Sequence, residues 1–346
     1  MKAYRLKRWR SAPELENVEV PRPGPGEVLI KVGGAGACHS DLHLMDWPEG
    51  TLPYELPFTL GHENAGWVEE PGTGVDGLKR GDAVLVYGPW GCGRCATCRT
   101  GQENYCENAA SIRAAGGGLG LDGGMAEYMR VPSARFLVPL HKLKPQEAAP
   151  LADAALTPYH ALKRSLPLLG ASSTAVVIGV GGLGEMAVQL LETLAPSTVV
   201  AIDIAEEKRA MAKKLGAEEA LPPGDAAIKR VQELTSGLGA ELVVDMVGNK
   251  ATLEMAPKLA RRLGHLTVVG LGGGTLPFGF FAVPYECSVA TTYWGSVPEL
   301  MEIVALAEAR KIHTEVELFP LDRVAEAYQR LKDGRIRGRA VIAPHG

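Results

Sequence analysis

Residues 174–184 read Thr-Ala-Val-Val-Ile-Gly-Val-Gly-Gly-Leu-Gly, an apolar run that ends in glycines at 179, 181, 182 and 184. Few stretches restrict a fold so tightly. The run predicts a buried strand, and the glycines open a helix over 182–194. In such a turn Gly179 makes the bend, Gly181 lets a pyrophosphate approach the backbone, and Gly184 lets helix pack on strand. The helix then faces the phosphates with its positive end. A bare glycine pattern would be weak in a chain with 42 glycines. The context is supplied by Asp203, which ends the next predicted strand nineteen positions after Gly184. Its carboxylate accepts from a ribose hydroxyl and repels a 2′-phosphate, which favours NAD over NADP. An α/β fold that binds no nucleotide is the alternative.

Around this turn strands and helices alternate. Strands are expected at 174–179, 198–202, 219–221, 242–246, 266–270 and 289–293, with helices at 182–194, 206–215, 226–235 and 252–263. That is the α/β pattern of a Rossmann domain, a doubly wound parallel six-stranded sheet. The first half has a different texture. Short β-branched runs at 27–32, 65–68, 83–87, 125–131 and 136–139, separated by Gly and Pro, predict a partly closed β-barrel. The change falls near Pro150. From 298 the tail carries two amphipathic helices and a last strand, 339–343, and is expected to return to the first domain. The expected division is therefore 1–153 with 295–346, and 154–294; two domains also suit a chain of 346 residues.

Two groups of residues carry metal chemistry. Cys38-His39-Ser40-Asp41-Leu42-His43 and Gly61-His62-Glu63 offer a thiolate, imidazoles, a hydroxyl and carboxylates. Cys and His suit zinc, and a catalytic zinc needs three protein ligands and an open position. Cys38 and His62 supply two; taken singly, each also reads as a buried thiol or a hydrogen-bonded core histidine. Cys92, Cys95, Cys98 and Cys106 stand at separations of 3, 3 and 8 in a lobe spanning about 88–108. Four thiolates close a tetrahedral structural zinc site, with an iron–sulfur cluster as the rival. Residues 1–10 are basic but no apolar run follows, so no secretion signal is read and metal binding is favoured over disulfides. A net charge of −4 with both signs mixed argues against nucleic acid or a membrane as the main partner. A cytoplasmic protein is expected.

With a Cys/His site, a Cys₄ lobe and a nucleotide turn in this order, the whole chain resembles the zinc-dependent medium-chain alcohol dehydrogenases. The specific match is Gly61-His62-Glu63-Asn64-Ala65-Gly66 followed by Gly72, Gly74-Val75 and Gly81-Asp82. It looks most like the bacterial secondary-alcohol dehydrogenases through Tyr87-Gly88-Pro89-Trp90, Leu156-Thr157-Pro158-Tyr159-His160 and Tyr293-Trp294. The resemblance implies a GroES-like barrel that holds two zincs per chain, one catalytic and one structural, beside the Rossmann domain. It implies Asp153 as the third catalytic ligand, where many members have Cys, and Glu63 as a carboxylate able to reach the metal. Asp41 would orient the ligand histidine, and Ser40 and His43 would relay the proton. His39 and Arg339 would meet the pyrophosphate, Asp203 and Lys208 the adenosine ribose, and Thr157 and Leu183 the nicotinamide. Tyr54, Trp90, Leu119 and Trp294 would line an apolar pocket for an alcohol or ketone. The implied activity is reversible hydride transfer between hydrophobic secondary alcohols or their ketones, with some primary alcohols, and NAD, in a homodimer or homotetramer. A polyol dehydrogenase, a zinc-free quinone reductase and a non-enzymatic nucleotide-binding protein are the competing readings.

Overall fold

The nine-residue strand Val28–Gly36 is the spine of the β-rich part of the chain. Its first half pairs antiparallel with Tyr128–Val131, its length pairs with Glu63–Pro71, and its last two residues pair with the tail strand Arg339–Ile342. One strand that serves three partners splits and curls the sheet. The path runs Leu137–Pro139, Ala83–Val86, Glu63–Pro71, Val28–Gly36, Arg339–Ile342, Val316–Phe319. A second sheet joins Glu14–Asn17, Lys2–Leu6 and Phe58–Thr59. The computed structural model describes residues 1–346, which divide into two units: Met1–Asp153 with Ser296–Gly346, and Ala154–Gly295.

The second unit holds six parallel strands in the order Glu219–Leu221, Thr198–Ile202, Thr174–Ile178, Ala240–Asp245, Ala260–Val268, Ser288–Thr291. Strands covered on both faces lose the in–out alternation and become continuous apolar runs. Every residue of Thr174–Ile178 is accordingly buried. Val176, Ile178, Val200, Ile202, Val243 and Leu266 pack with Val231, Met255 and Leu259 from two of the helices. The fold class read from the sequence, a β-rich unit joined to a parallel nucleotide-type sheet, is the one observed.

Several boundaries differ from expectation. The helix expected over 252–263 ends at Leu259, and the next strand starts at once at Ala260. Pro257 cannot donate inside that helix, and Leu263 takes a left-handed φ of 63° at a break in the strand's ladder. The strand expected from 125 begins at Tyr128, because Met125 and Ala126 bond instead to Tyr4 and Ala3. The strand Val316–Phe319 and the helix His39–Asp46 were not anticipated. Both are short, and the helix is polar, so neither shows a clear period.

Gly184 tests the tightness of this packing. A Cβ there would overlap the carbonyl oxygen of Gly179, whereas one at Gly170 would meet nothing. Gly184→Ala is expected to destabilise by about 1–3 kcal/mol, as overpacking does, with Gly170→Ala close to wild type. Equal melting temperatures for the two variants would refute that view of the turn.

Candidate functional site

Three pieces of chain meet at the first candidate centre. Val28–Gly36 leads into Cys38, which caps the helix His39–Asp46 with extended backbone. Gly36 pairs across the sheet with Glu63, so His62 and Glu63 arrive beside that cap. Asp153 follows the short turn Ala149–Ala152. One ligand atom from each of Cys38, His62, Glu63 and Asp153 falls within 4.8 Å of all the others, and all four residues are buried. Asp153 Oδ2 lies 3.5 Å from His62 Nε2 and 3.7 Å from Cys38 Sγ. Donors on a tetrahedral zinc with bonds of 2.0–2.3 Å are spaced about 3.3–3.8 Å apart. Both separations from Asp153 match that spacing, and the Cys38, His62 and Asp153 donor set suits zinc.

The surroundings hold that geometry. Asp41 has no exposed surface; its Oδ1 lies 3.0 Å from His62 Nδ1, and its Oδ2 accepts from the Cys38 N–H at 3.0 Å and the Tyr328 O–H at 2.9 Å. With Nδ1 donating to Asp41, Nε2 carries the lone pair that a metal needs. Burial alone would pull the His62 imidazole down, but Asp41, Asp153 and Cys38 outweigh it and hold it well above its ordinary value. The site thus favours positive charge on this ring, whether proton or metal. Glu63 forms a buried ion pair with Arg339 through Oε1, while Oε2 has no hydrogen-bond partner. A Cβ at Gly36 would overlap that free oxygen. Burial pushes the Glu63 carboxyl up against the pull of Arg339. A buried carboxylate oxygen without a partner, beside three zinc-type donors, is accounted for by a cation.

Ser40 Oγ lies 3.5 Å from Cys38 Sγ, and His43 stands three residues further along the same helix, its ring stacked on Trp47. His39 is exposed; partial desolvation, with the positive Arg339 and His43, pulls its imidazole below the ordinary value. Tyr54 is half-buried, edge-on to Phe58 at 6.2 Å between ring centres, and burial pushes its phenol up against the smaller opposing pull of His62. Trp90 is buried, stacked on Phe136, with its N–H donated to the Tyr87 carbonyl at 2.8 Å. Leu119 is half-buried in the Gly-rich loop.

The second centre lies in the same unit. Ligand atoms of Cys92, Cys95, Cys98 and Cys106 also fall within 4.8 Å of one another. Backbone amides of Cys92, Cys95 and Cys98 donate to the sulfurs of Cys106, Cys92 and Cys95 at 3.3–3.4 Å. Hydrogen bonds from the Arg94 amide, Asn108 and the Cys95 amide pull the Cys92 thiol down to about 6. Burial and Glu103 push Cys98 up. A fold that aims N–H groups at sulfur is built for thiolates.

The nucleotide unit carries the glycine turn. Gly179 takes a φ of 87°, as the bend requires, and an added Cβ at Gly181 would meet nothing within 4 Å, which leaves the backbone open to a pyrophosphate. The helix Gly182–Leu194, with Leu183 in its first turn, has no side-chain cap, so its leading N–H groups are available to phosphate. Asp203 does more than the sequence suggested. Its carboxylate accepts from the N–H of Val180 at 2.7 Å and of Ala205 at 2.9 Å, and so ties the glycine turn to the next strand. Each oxygen retains a lone pair for a ribose hydroxyl. Lys208 pairs with Glu185 at 2.8 Å, a partner not anticipated, and Arg209 donates to the carbonyls of Asp203 and Ile204. Thr157 lies in the first turn of the helix Leu156–Lys163, and Trp294, with a φ of 54°, is buried at the end of this unit. Tyr328 is the other participant that sequence reading missed; nothing in its amphipathic helix marks it.

A buried Cys/His/Asp cluster, a separate Cys₄ lobe and a dinucleotide turn together define a zinc-binding, nucleotide-dependent dehydrogenase. Residues 24–142 match the alcohol dehydrogenase GroES-like domain and residues 182–309 the zinc-binding dehydrogenase family. The chain is 37% identical to a D-arabinose 1-dehydrogenase (NADP(+)) of Saccharolobus solfataricus, over 99% of this chain and 97% of that one. Among solved structures, an alcohol dehydrogenase of Aeropyrum pernix superposes with a TM-score of 0.91 at 39% identity, covering 99% of this chain and 100% of that one. An acetophenone reductase of Geotrichum candidum, in complex with NAD, gives a TM-score of 0.86 at 31% identity, over 99% and 96%. The chain belongs to the zinc-dependent medium-chain alcohol dehydrogenase family.

Two zincs per chain are expected by elemental analysis. Cys38→Ser should retain one, keep most of its thermal stability and lose turnover; Cys95→Ser should lose the other and melt at lower temperature. One metal per active, well-folded wild-type chain would refute the two-centre reading.

Proposed function

We propose that this chain is an NAD-dependent zinc alcohol dehydrogenase that interconverts hydrophobic secondary alcohols and their ketones. The observation that carries the reading is the buried Cys38, His62 and Asp153 set, whose donor spacing suits zinc and which has the unpartnered Glu63 oxygen beside it. Zinc bound there supplies Lewis acidity toward an alcohol or carbonyl oxygen, and NAD accepts or returns the hydride. Ser40 takes the alcohol proton and His43, one turn on, passes it outward. The three-residue spacing puts both on one helix face. Asp203 selects NAD, because a 2′-phosphate would meet a carboxylate already fixed by two backbone donors. The thiolate-rich centres suit a reducing compartment, which favours the cytoplasm; no helix is long and apolar enough to cross a membrane.

The substrate preference rests on apolar surface. The Tyr54 ring is half-buried against Phe58, and Trp90 has already given its only donor to Tyr87. Each further CH₂ buried there is worth about 0.8 kcal/mol, whereas a polyol must strip water from hydroxyls that find no partner. The acetophenone reductase among the solved structures agrees with this; the D-arabinose 1-dehydrogenase favours a second reading, an NADP-linked sugar dehydrogenase. A panel of kcat/KM for 1-phenylethanol, 2-octanol, ethanol, sorbitol and D-arabinose, with NAD and NADP, separates them. The two bulky secondary alcohols with NAD should lead by about tenfold or more. Sorbitol or D-arabinose in front would establish the second reading, and ethanol in front would overturn the preference for bulk.

We further propose that the chain forms a homo-oligomer through the edge of its parallel sheet. Ser288–Thr291 ends the sheet with one unpaired side, and Phe278, Phe280 and Phe281 in the segment before it are 73–87% exposed. An open strand edge near exposed aromatics invites a second copy. Light scattering should report a dimer or tetramer, and Phe281→Asp should shift it toward monomer. A wild type that is monomeric at micromolar concentration would exclude this.

A further inference from the structure

We propose that Tyr328 is a positioning residue for the exchangeable metal centre, its phenol O–H holding Asp41 in the orientation that turns His62 Nε2 toward the metal. The inference rests on the zinc reading of Cys38, His62 and Asp153 given above. Asp41 has three hydrogen-bond partners: the Cys38 backbone N–H, His62 Nδ1 and the Tyr328 hydroxyl, at 3.0, 3.0 and 2.9 Å. The first two belong to ligand residues themselves. They move with the metal site and cannot independently fix the group that orients it. Tyr328 alone is anchored elsewhere. It is buried on the helix Val324–Lys332, its ring stacked on Tyr4 with centres 6.1 Å apart. Without the hydroxyl, Asp41 Oδ2 would keep one donor in a site that water does not reach. The carboxylate would then turn to recover a partner and carry the His62 ring with it. Partners that orient metal-ligating histidines are typically worth roughly 10–100-fold in metal affinity.

The test separates the hydroxyl from the ring. Purified wild type, Tyr328→Phe and Tyr328→Leu are challenged with a chromophoric zinc chelator, and release is followed for each of the two zincs. Tyr328→Phe should melt close to wild type yet release one zinc roughly 10–100-fold more readily, leaving the other unchanged. Cobalt placed in the exchangeable centre should show a shifted thiolate-to-metal absorption in Tyr328→Phe. If the residue only packs, Tyr328→Phe will match wild type in both readouts and Tyr328→Leu alone will differ; that result overturns the inference while leaving the zinc reading intact. A wild type with no exchangeable zinc overturns both. Because the effect runs through Asp41, adding Tyr328→Phe to Asp41→Asn should change zinc release by less than about twofold, and a full additive loss would also overturn the inference.

Discussion

Arg339 meets Glu63 where both side chains are almost wholly out of water. The partners lie 276 residues apart and arrive on strands that border Val28–Gly36. A buried ion pair is a poor net stabiliser, since both ions give up hydration, but stranding one partner costs about 3–5 kcal/mol. The pair therefore acts mainly as a constraint. An arrangement of the tail that leaves Arg339 outside strands Glu63 in a buried site, and one that brings it in fixes which Glu63 oxygen is free.

The order of the chain adds a consequence. Asp153 is the last residue before the nucleotide unit, and the helix with Tyr328 and the strand with Arg339 come after it. The ligands are thus made in the first half of synthesis, while the groups that hold Asp41 and Glu63 are made last. Until the tail docks, both carboxylates lack an outer partner.

What the sequence made legible follows from range. The glycine turn, the six parallel strands and the Cys₄ spacing depend on neighbours a few residues apart or on patterns of period, and these read directly. Gly179, Gly181 and Gly184 occupy the conformations and clearances that their spacing implies. Tyr328 was illegible because its significance is one hydrogen bond to a residue 287 positions away. The same holds for the pairing of Arg339 with Glu63, 276 positions apart. Asp203 was half legible: its place at a strand end is a matter of spacing, but its bond to the Val180 amide appears only when two strands lie side by side. Short elements such as Val316–Phe319 and His39–Asp46 failed for a different reason, since four to eight residues hold too few repeats to show a period.

Charge explains why so polar a cluster is tolerated. Cys38, Asp153 and Glu63 are three acids within 4.8 Å of one another and of a histidine, all buried. Ionised together in low dielectric they would repel; burial, with the neighbouring Asp153, pushes the Glu63 carboxyl up, whereas attraction to Asp41, Asp153 and Cys38 holds the His62 imidazole up. Arg339 offsets one negative charge; against the pull of burial, Glu63, Cys38 and Asp153 hold its guanidinium charged. A divalent cation offsets the other two, while Asp41 is stabilised separately by its three hydrogen bonds. With the proposed carboxylate in the third place, this centre would be less thiolate-rich than the Cys₄ lobe, and so more electrophilic and more exchangeable. The two metal sites of one unit are thereby divided by their donors alone: four thiolates lined by amides to hold a lobe together, and a mixed set to do chemistry.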